Sequence, residues 1–202
     1  GHLLIERPVS HSMDRMEDLR AAVLETGVQV LVGFQFRFHP GLGEVKRLVG
    51  IGRIGRPISF HAHLGEYLPD WHPWEDYRAS YAARRELGGG VVLTLCHPFD
   101  YLRWLLGEAE HVSAAASTLG DLGLGVEDTA EITLSFSSGA LGSIHLDFLQ
   151  RPTSHWLEII GTLGTVRWDN ADGAVRWWTE QEGTWAEIPA PEGFERNTMF
   201  LE

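Results

Sequence analysis

The segment Glu86-Leu-Gly-Gly-Gly-Val-Val-Leu-Thr-Leu-Cys-His-Pro-Phe-Asp-Tyr-Leu-Arg-Trp-Leu-Leu-Gly107 joins three glycines to a long apolar run. Val92, Leu95, Phe99, Leu102 and Leu106 recur at intervals of three and four, which predicts a helix with one apolar face. At the same pitch Thr94, His97, Tyr101 and Trp104 fall near the opposite side and form a semi-polar stripe. Gly107 closes the helix. Pro98 lacks an amide hydrogen and crowds the carbonyl of Thr94, so a kink is expected beside His97. Gly88 to Gly90 leave room for a backbone or a ligand to come close. This is the layout of a site, although a structural helix with one histidine gives the same pattern.

Just upstream, residues 65–86 contain Pro69, Trp71, His72, Pro73, Trp74, Tyr77 and Arg78 and read as a long loop, a kind of segment that usually carries function. Before it come a helix near 40–50, the turn Gly52-Arg-Ile-Gly-Arg-Pro57 and a strand at 58–64. Further out, Leu3 to Ile5 and Val28 to Gly33 read as short buried strands flanking a helix. That helix carries Met16, Leu19 and Val23 on one face, with Ser10 or Ser12 as its cap and Gly27 at its end. Two strands cannot make a covered parallel sheet, so neighbouring strands are expected before residue 1.

Downstream, strands are predicted near 109–117, 127–136, 140–150, 154–160, 164–168, 174–179 and 184–188, with Gly- and Asn-containing hairpin turns between them. In Glu131-Ile-Thr-Leu-Ser-Phe136 and Ser143-Ile-His-Leu-Asp-Phe148 apolar and polar residues alternate, so one face is expected to pack on the helix. The fold class is therefore α+β, with a broad, mostly antiparallel sheet that includes the 58–64 strand. Trp156, Trp168, Trp177, Trp178 and Trp185 are expected on the other face, where a second subunit would cover them. Residues 194–202 begin another helical pattern.

The chain has 202 residues, 44% hydrophobic and 22% charged, which suffices for one sizeable core. Acidic side chains outnumber basic ones, 28 to 16, for a net charge of −12. That balance argues against nucleic acid and anionic membranes as partners and leaves small molecules. The single cysteine, Cys96, cannot form an internal disulfide and suits a reducing cytoplasm. No run has the length of a membrane span and no signal-peptide pattern opens the chain.

Several motifs resemble those of the glucose-fructose oxidoreductase, inositol dehydrogenase and rhizopine catabolism family. Glu6-Arg-Pro8 is similar to its Glu-Lys-Pro signature, and Gly33-Phe-Gln-Phe-Arg-Phe-His-Pro40 to its Gly-Phe-Asn-x-Arg-Phe-x-Pro. Gly52 to Pro57 resembles its turn into the sheet, and Gly88-Gly-Gly with Thr94, His97 and Asp100 resembles its Gly-Gly-Gly…Asp…His…Asp helix. Val126-Glu-Asp128 with Phe136-Ser-Ser-Gly139 resembles its first hairpin. The resemblance implies that residues 1–33 are the β-α-β tail of a Rossmann nucleotide domain and that residues 34–202 are the substrate-binding and oligomerisation domain. It further implies NAD or NADP as cofactor of the intact parent, a sugar, inositol or polyol substrate, and a homodimer or tetramer formed through the sheet. The glycine-rich dinucleotide loop is not among these residues, so this chain alone is expected to bind no dinucleotide and to be inactive.

Arg7 stands where the resemblance implies a catalytic lysine, and Thr94 where it implies an aspartate. A guanidinium does not shed its proton, so Arg7 can orient a hydroxyl or neutralise charge but cannot relay a proton. Among the matched positions His97 alone keeps an unperturbed pKa suited to acid–base work. Asp100, Trp71, Tyr77 and Arg78 are candidate substrate contacts, the last three equally readable as loop anchors. Glu6, Pro8 and Gln35 are candidate contacts to the nicotinamide end. His61, His63, Asp70 and His72 permit a metal site, but alternation on a half-exposed strand gives the same pattern, and none is assigned. A second functional class stays open: a member that has lost redox chemistry and serves as a binding or assembly domain.

Overall fold

In the computed structural model, which describes residues 1–200, strand β1 (Leu3–Ile5), helix α1 (Met16–Thr26) and strand β2 (Val30–Val32) form a small unit. Its two strands pair in parallel, Leu3 opposite Val30. Gly27 ends α1 as expected: at φ 64° its N–H reaches the Val23 carbonyl at 3.0 Å. The start differs from expectation. Neither serine caps α1, because the Ser10 and Ser12 hydroxyls accept from the amides of Ser12 and Asp14, and Arg15 occupies the N-cap position. Helix α1 buries no residue, and Leu4 and Leu31 are 75% and 61% exposed.

Helix α2 (Pro40–Gly50) follows a 3₁₀ turn at Gln35–Phe38. Pro40 suits the first turn, where its missing N–H costs nothing, and His39 Nδ1 accepts from the Gly41 amide at 3.0 Å. Leu42, Val45 and Leu48 form the buried stripe. Strand β3 (Pro57–Gly65) leads into a string of 3₁₀ turns across residues 68–87.

The expected kinked helix is two helices, α3 (Val91–Thr94) and α4 (His97–Leu106). Pro98 falls in the first turn of α4, where proline is tolerated, so the chain breaks at Leu95 and Cys96 instead of bending through them. The expected semi-polar cleft stripe is also corrected. Thr94, His97 and Tyr101 are buried, as are Leu95, Leu102 and Leu106, so these helices are covered on both sides. The close approach allowed by the glycines is the protein's own: a side chain at Gly90, φ 110°, would strike Glu127.

Seven more strands follow among the described residues: β4 (Ala109–Ser117), β5 (Thr129–Phe136), β6 (Leu141–Asp147), β7 (Ser154–Gly161), β8 (Gly164–Asp169), β9 (Val175–Thr179) and β10 (Trp185–Ile188). They join β3 in one eight-stranded sheet of order β10-β9-β8-β7-β3-β6-β5-β4, parallel only between β3 and β6. The sheet is thus α+β and mostly antiparallel, as the alternation predicts. Phe60, Ala62 and Leu64 of β3, Ile132, Leu134 and Phe136 of β5, and Ile144 and Leu146 of β6 are buried on the inner face. The helical pattern expected at 194–202 is a 3₁₀ turn at Arg196–Phe200, and residues 201–202 lie outside the described part.

Register overturns one expectation about the tryptophans. Trp168 is opposite Leu157 and Val175, and Trp177 is opposite Val166, so both belong to the inner face. Trp178, next in sequence to Trp177, must point the other way, and it pairs with Trp185 on the outer face, where Trp156 also lies. Trp168 is 1% exposed and sits beneath α2, whose Gly41 has no side chain and so permits contact with the indole.

Candidate functional site

The break between α3 and α4 creates the first part of the site. In a continuous helix the Thr94 carbonyl would accept from the residue four positions on, which is Pro98 and has no N–H. That free carbonyl accepts from Arg7 Nη1 at 2.6 Å, which ties the segment after β1 to the helical layer. Arg7 Nε has no partner.

His97 opens α4 and is 4% exposed. Its ring packs edge-on against Phe36, 4.8 Å between centroids, and neither ring nitrogen has a hydrogen-bond partner. Burial, and next the nearby Arg7 guanidinium, hold its pKa well below the ordinary histidine value, so the imidazole is neutral. A neutral imidazole with two unpartnered nitrogens can take a proton or accept a hydroxyl hydrogen bond.

Arg7 and His97 line one cavity of about 300 Å³ together with Glu66, Trp71, His72 and Arg196, and Phe36, Leu64, Tyr81 and Leu95 complete its wall. Glu66 follows the last residue of β3, and burial lifts its carboxyl above the ordinary range against the opposing pull of Arg196 and Arg7. The Trp71 indole N–H also faces the Glu66 carboxyl and holds back that rise, without closing a hydrogen bond of full geometry. A hollow of about 410 Å³ beside Phe38, Pro40 and Phe194 holds Glu192 as its only ionisable group and offers no comparable chemistry.

The structure therefore brings Arg7, Trp71, His72 and His97 to one cavity. The other candidates lie outside its lining. Thr94 supplies its carbonyl to Arg7, while its buried hydroxyl has no partner. Asp100 accepts two bonds from Arg37, at 2.8 and 2.7 Å. Tyr77 donates to the Leu122 carbonyl at 3.0 Å, and the Arg78 guanidinium lies 4.5 Å over the Tyr77 ring. Glu6 is exposed beside Gly33, Pro8 is half-buried, and Gln35 is buried with Oε1 unpartnered. His61 and His63 share the outer face of β3, where His63 stacks between His145 and Trp156, and no three potential ligands cluster around a metal position among the described residues.

Glu66 and Arg196 were not singled out from sequence. Glu66 had a usable signal, since it lies at the C-terminal end of a strand, where alternation stops and loops build sites. Arg196 had none, being brought to the cavity by the tail.

Among known proteins, the profile of the GFO/IDH/MocA C-terminal domain matches residues 42–167, and the chain belongs to that family. An uncharacterized oxidoreductase of Bacillus subtilis, YrbE, is 33% identical over 185 residues, covering 84% of this chain and 49% of the relative. The scyllo-inositol 2-dehydrogenase (NAD(+)) of the same organism is 30% identical over 171 residues, covering 81% and 47%. The chain thus spans about half the length of these curated relatives. Levoglucosan dehydrogenase, solved in complex with NADH and L-sorbose, superposes with a TM-score of 0.85 at 20% identity over 98% of this chain and 60% of that one, a likeness of fold. No helix among the described residues is long and apolar enough to cross a membrane.

Proposed function

We propose that this chain is the substrate-binding portion of a nicotinamide-dependent oxidoreductase that acts on a sugar, inositol or related polyol by hydride transfer. The observation that carries the reading is the joint presence of Arg7 and His97 in one cavity of ligand size. His97 takes the proton from the reacting hydroxyl. Arg7, pinned by the Thr94 carbonyl, orients that oxygen and stabilises negative charge on it. Trp71 contributes an apolar face and an N–H, and Glu66 accepts from a second hydroxyl.

Residues 1–33 belong, in this reading, to a nucleotide domain, whose further strands cover exposed Leu4 and Leu31. The unpartnered Gln35 Oε1 fits the nicotinamide end of a dinucleotide, to which Glu6 and Pro8 are assigned as well. When bound, NAD or NADP supplies the hydride acceptor. Residues 1–202 alone bind neither measurably and do not turn over substrate, because pyrophosphate affinity requires a glycine-rich turn. Residues 34–202 are the substrate and assembly domain, in which the outer face with Trp156, Trp178 and Trp185 supports a cytoplasmic homodimer or tetramer.

A second reading, a binding or assembly domain without redox chemistry, is favoured by Arg7 and Thr94 standing where the family has lysine and aspartate. The test is to join the chain to its nucleotide domain and follow NAD(P)H formation across a panel of polyols and sugars. Reduction with at least one member supports the oxidoreductase. A protein that binds the cofactor and reduces none supports the second reading.

A further inference from the structure

Resting on the reading of this cavity as a polyol site, we propose that its ligand is a sugar acid, a polyol carrying a carboxylate held by Arg7 and Arg196. The chain as a whole is acidic, at −12. The cavity reverses that balance, with two guanidiniums and a single carboxyl, Glu66. No ion pair among the described residues involves Arg7 or Arg196. Arg7 spends one N–H on the Thr94 carbonyl and leaves Nε without a partner. A guanidinium cannot relieve this by losing its proton, so a half-buried, incompletely paired charge calls for an anion.

The hydrogen-bonding inventory points the same way. Arg7, Arg196 and the Trp71 indole offer only donors, whereas Glu66 is the one anionic acceptor. A neutral polyol has one hydrogen to donate for each oxygen, and a carboxylate brings acceptors without hydrogens. It also matches the fork of a guanidinium. The volume, about 300 Å³, lies at the lower end of ligand cavities and suits a monosaccharide.

A bound carboxylate has a second consequence at the reacting group. Arg7 and Arg196 both disfavour a charged His97, after burial itself. An anion between them offsets that influence and makes His97 a better proton acceptor only when the acid substrate is in place.

The test is calorimetric titration of the 202-residue chain with D-glucuronate, with D-glucuronamide as its uncharged counterpart, and with D-glucose. Glucuronate is expected to bind about 10- to 100-fold more tightly than the amide, as a charge-assisted pair requires. Arg196→Gln, a change at an exposed residue, should erase the difference between acid and amide while leaving glucose affinity unchanged. Arg7→Gln should erase it too and, because Arg7 also orients the reacting hydroxyl, should weaken glucose as well. Equal affinity for acid and amide overturns the sugar-acid inference and leaves the polyol site standing. Failure of all three to bind overturns both. Discrimination that survives Arg196→Gln and Arg7→Gln overturns the assignment of the carboxylate to these residues.

Discussion

The two faces of the large sheet use the same residue types, histidine and tryptophan, in opposite states. On the inner face His155 and His39 lie with Trp168, at 4.9 Å between ring centroids in each case, and burial pushes their pKa values down to about 3 and about 4. On the outer face His145 lies between Asp147 and Glu131, whose carboxylates raise it to about 9, and burial lowers its stacked neighbour His63. Carboxylate partners decide whether a histidine is a cation: His145 has two, while the inner histidines and His63 are governed by burial. The inner layer is a neutral aromatic core that continues through Phe36 to His97 and the cavity. The outer layer is a polar, partly aromatic surface.

The largest expected effect is a paired truncation across the faces. Trp168→Ala removes a fully buried indole and should cost about 3–5 kcal/mol, whereas Trp178→Ala should cost the monomer about 1 kcal/mol or less. Chemical unfolding measures both. Similar losses would mean that the faces are not energetically distinct in the monomer.

A smaller effect lies in the pH dependence, and its sign differs between the inner histidines and His145. His39, His155 and His97 have lowered folded pKa values, so their contribution is complete above the unfolded value and is lost as pH falls below it. Below about pH 6.5 each should remove about 1.4 kcal/mol per pH unit until its folded pKa is reached or the fold gives way. His145 is raised, so its contribution is complete below about pH 6.5 and is lost as pH rises through about 9. That part-exposed group is screened, and its loss should be about 1 kcal/mol or less. Unfolding free energies from pH 4 to 10 should therefore fall steeply on the acid side and gently on the alkaline side. A flat acid limb would mean that the inner histidines are not held neutral.

The strands were legible because alternation is strict where one face meets a core: Ile132, Leu134 and Phe136 mark it in β5, and Ile144 and Leu146 in β6. Trp177 and Trp178 could have been separated on the same ground, since adjacent strand residues take opposite faces. His155 shares the phase of Leu157 and Ile159, which marks it as a core histidine. The helix break was not legible, because a proline that starts a new helix and one that kinks an old helix leave the same 3–4 spacing. The cavity was half legible. Arg7, Trp71 and His97 stood out by type and motif, but Glu66 and Arg196 meet there only through the end of β3 and the tail.

The most direct test of the central claim is His97→Gln in the protein carrying its nucleotide domain, with turnover, cofactor affinity and unfolding measured on the same samples. The expected result is a fall in kcat of about 10²- to 10⁴-fold, with cofactor affinity unchanged and stability altered by about 1 kcal/mol. An unchanged kcat, or a loss of activity that only follows unfolding, would contradict the assignment of proton transfer to His97.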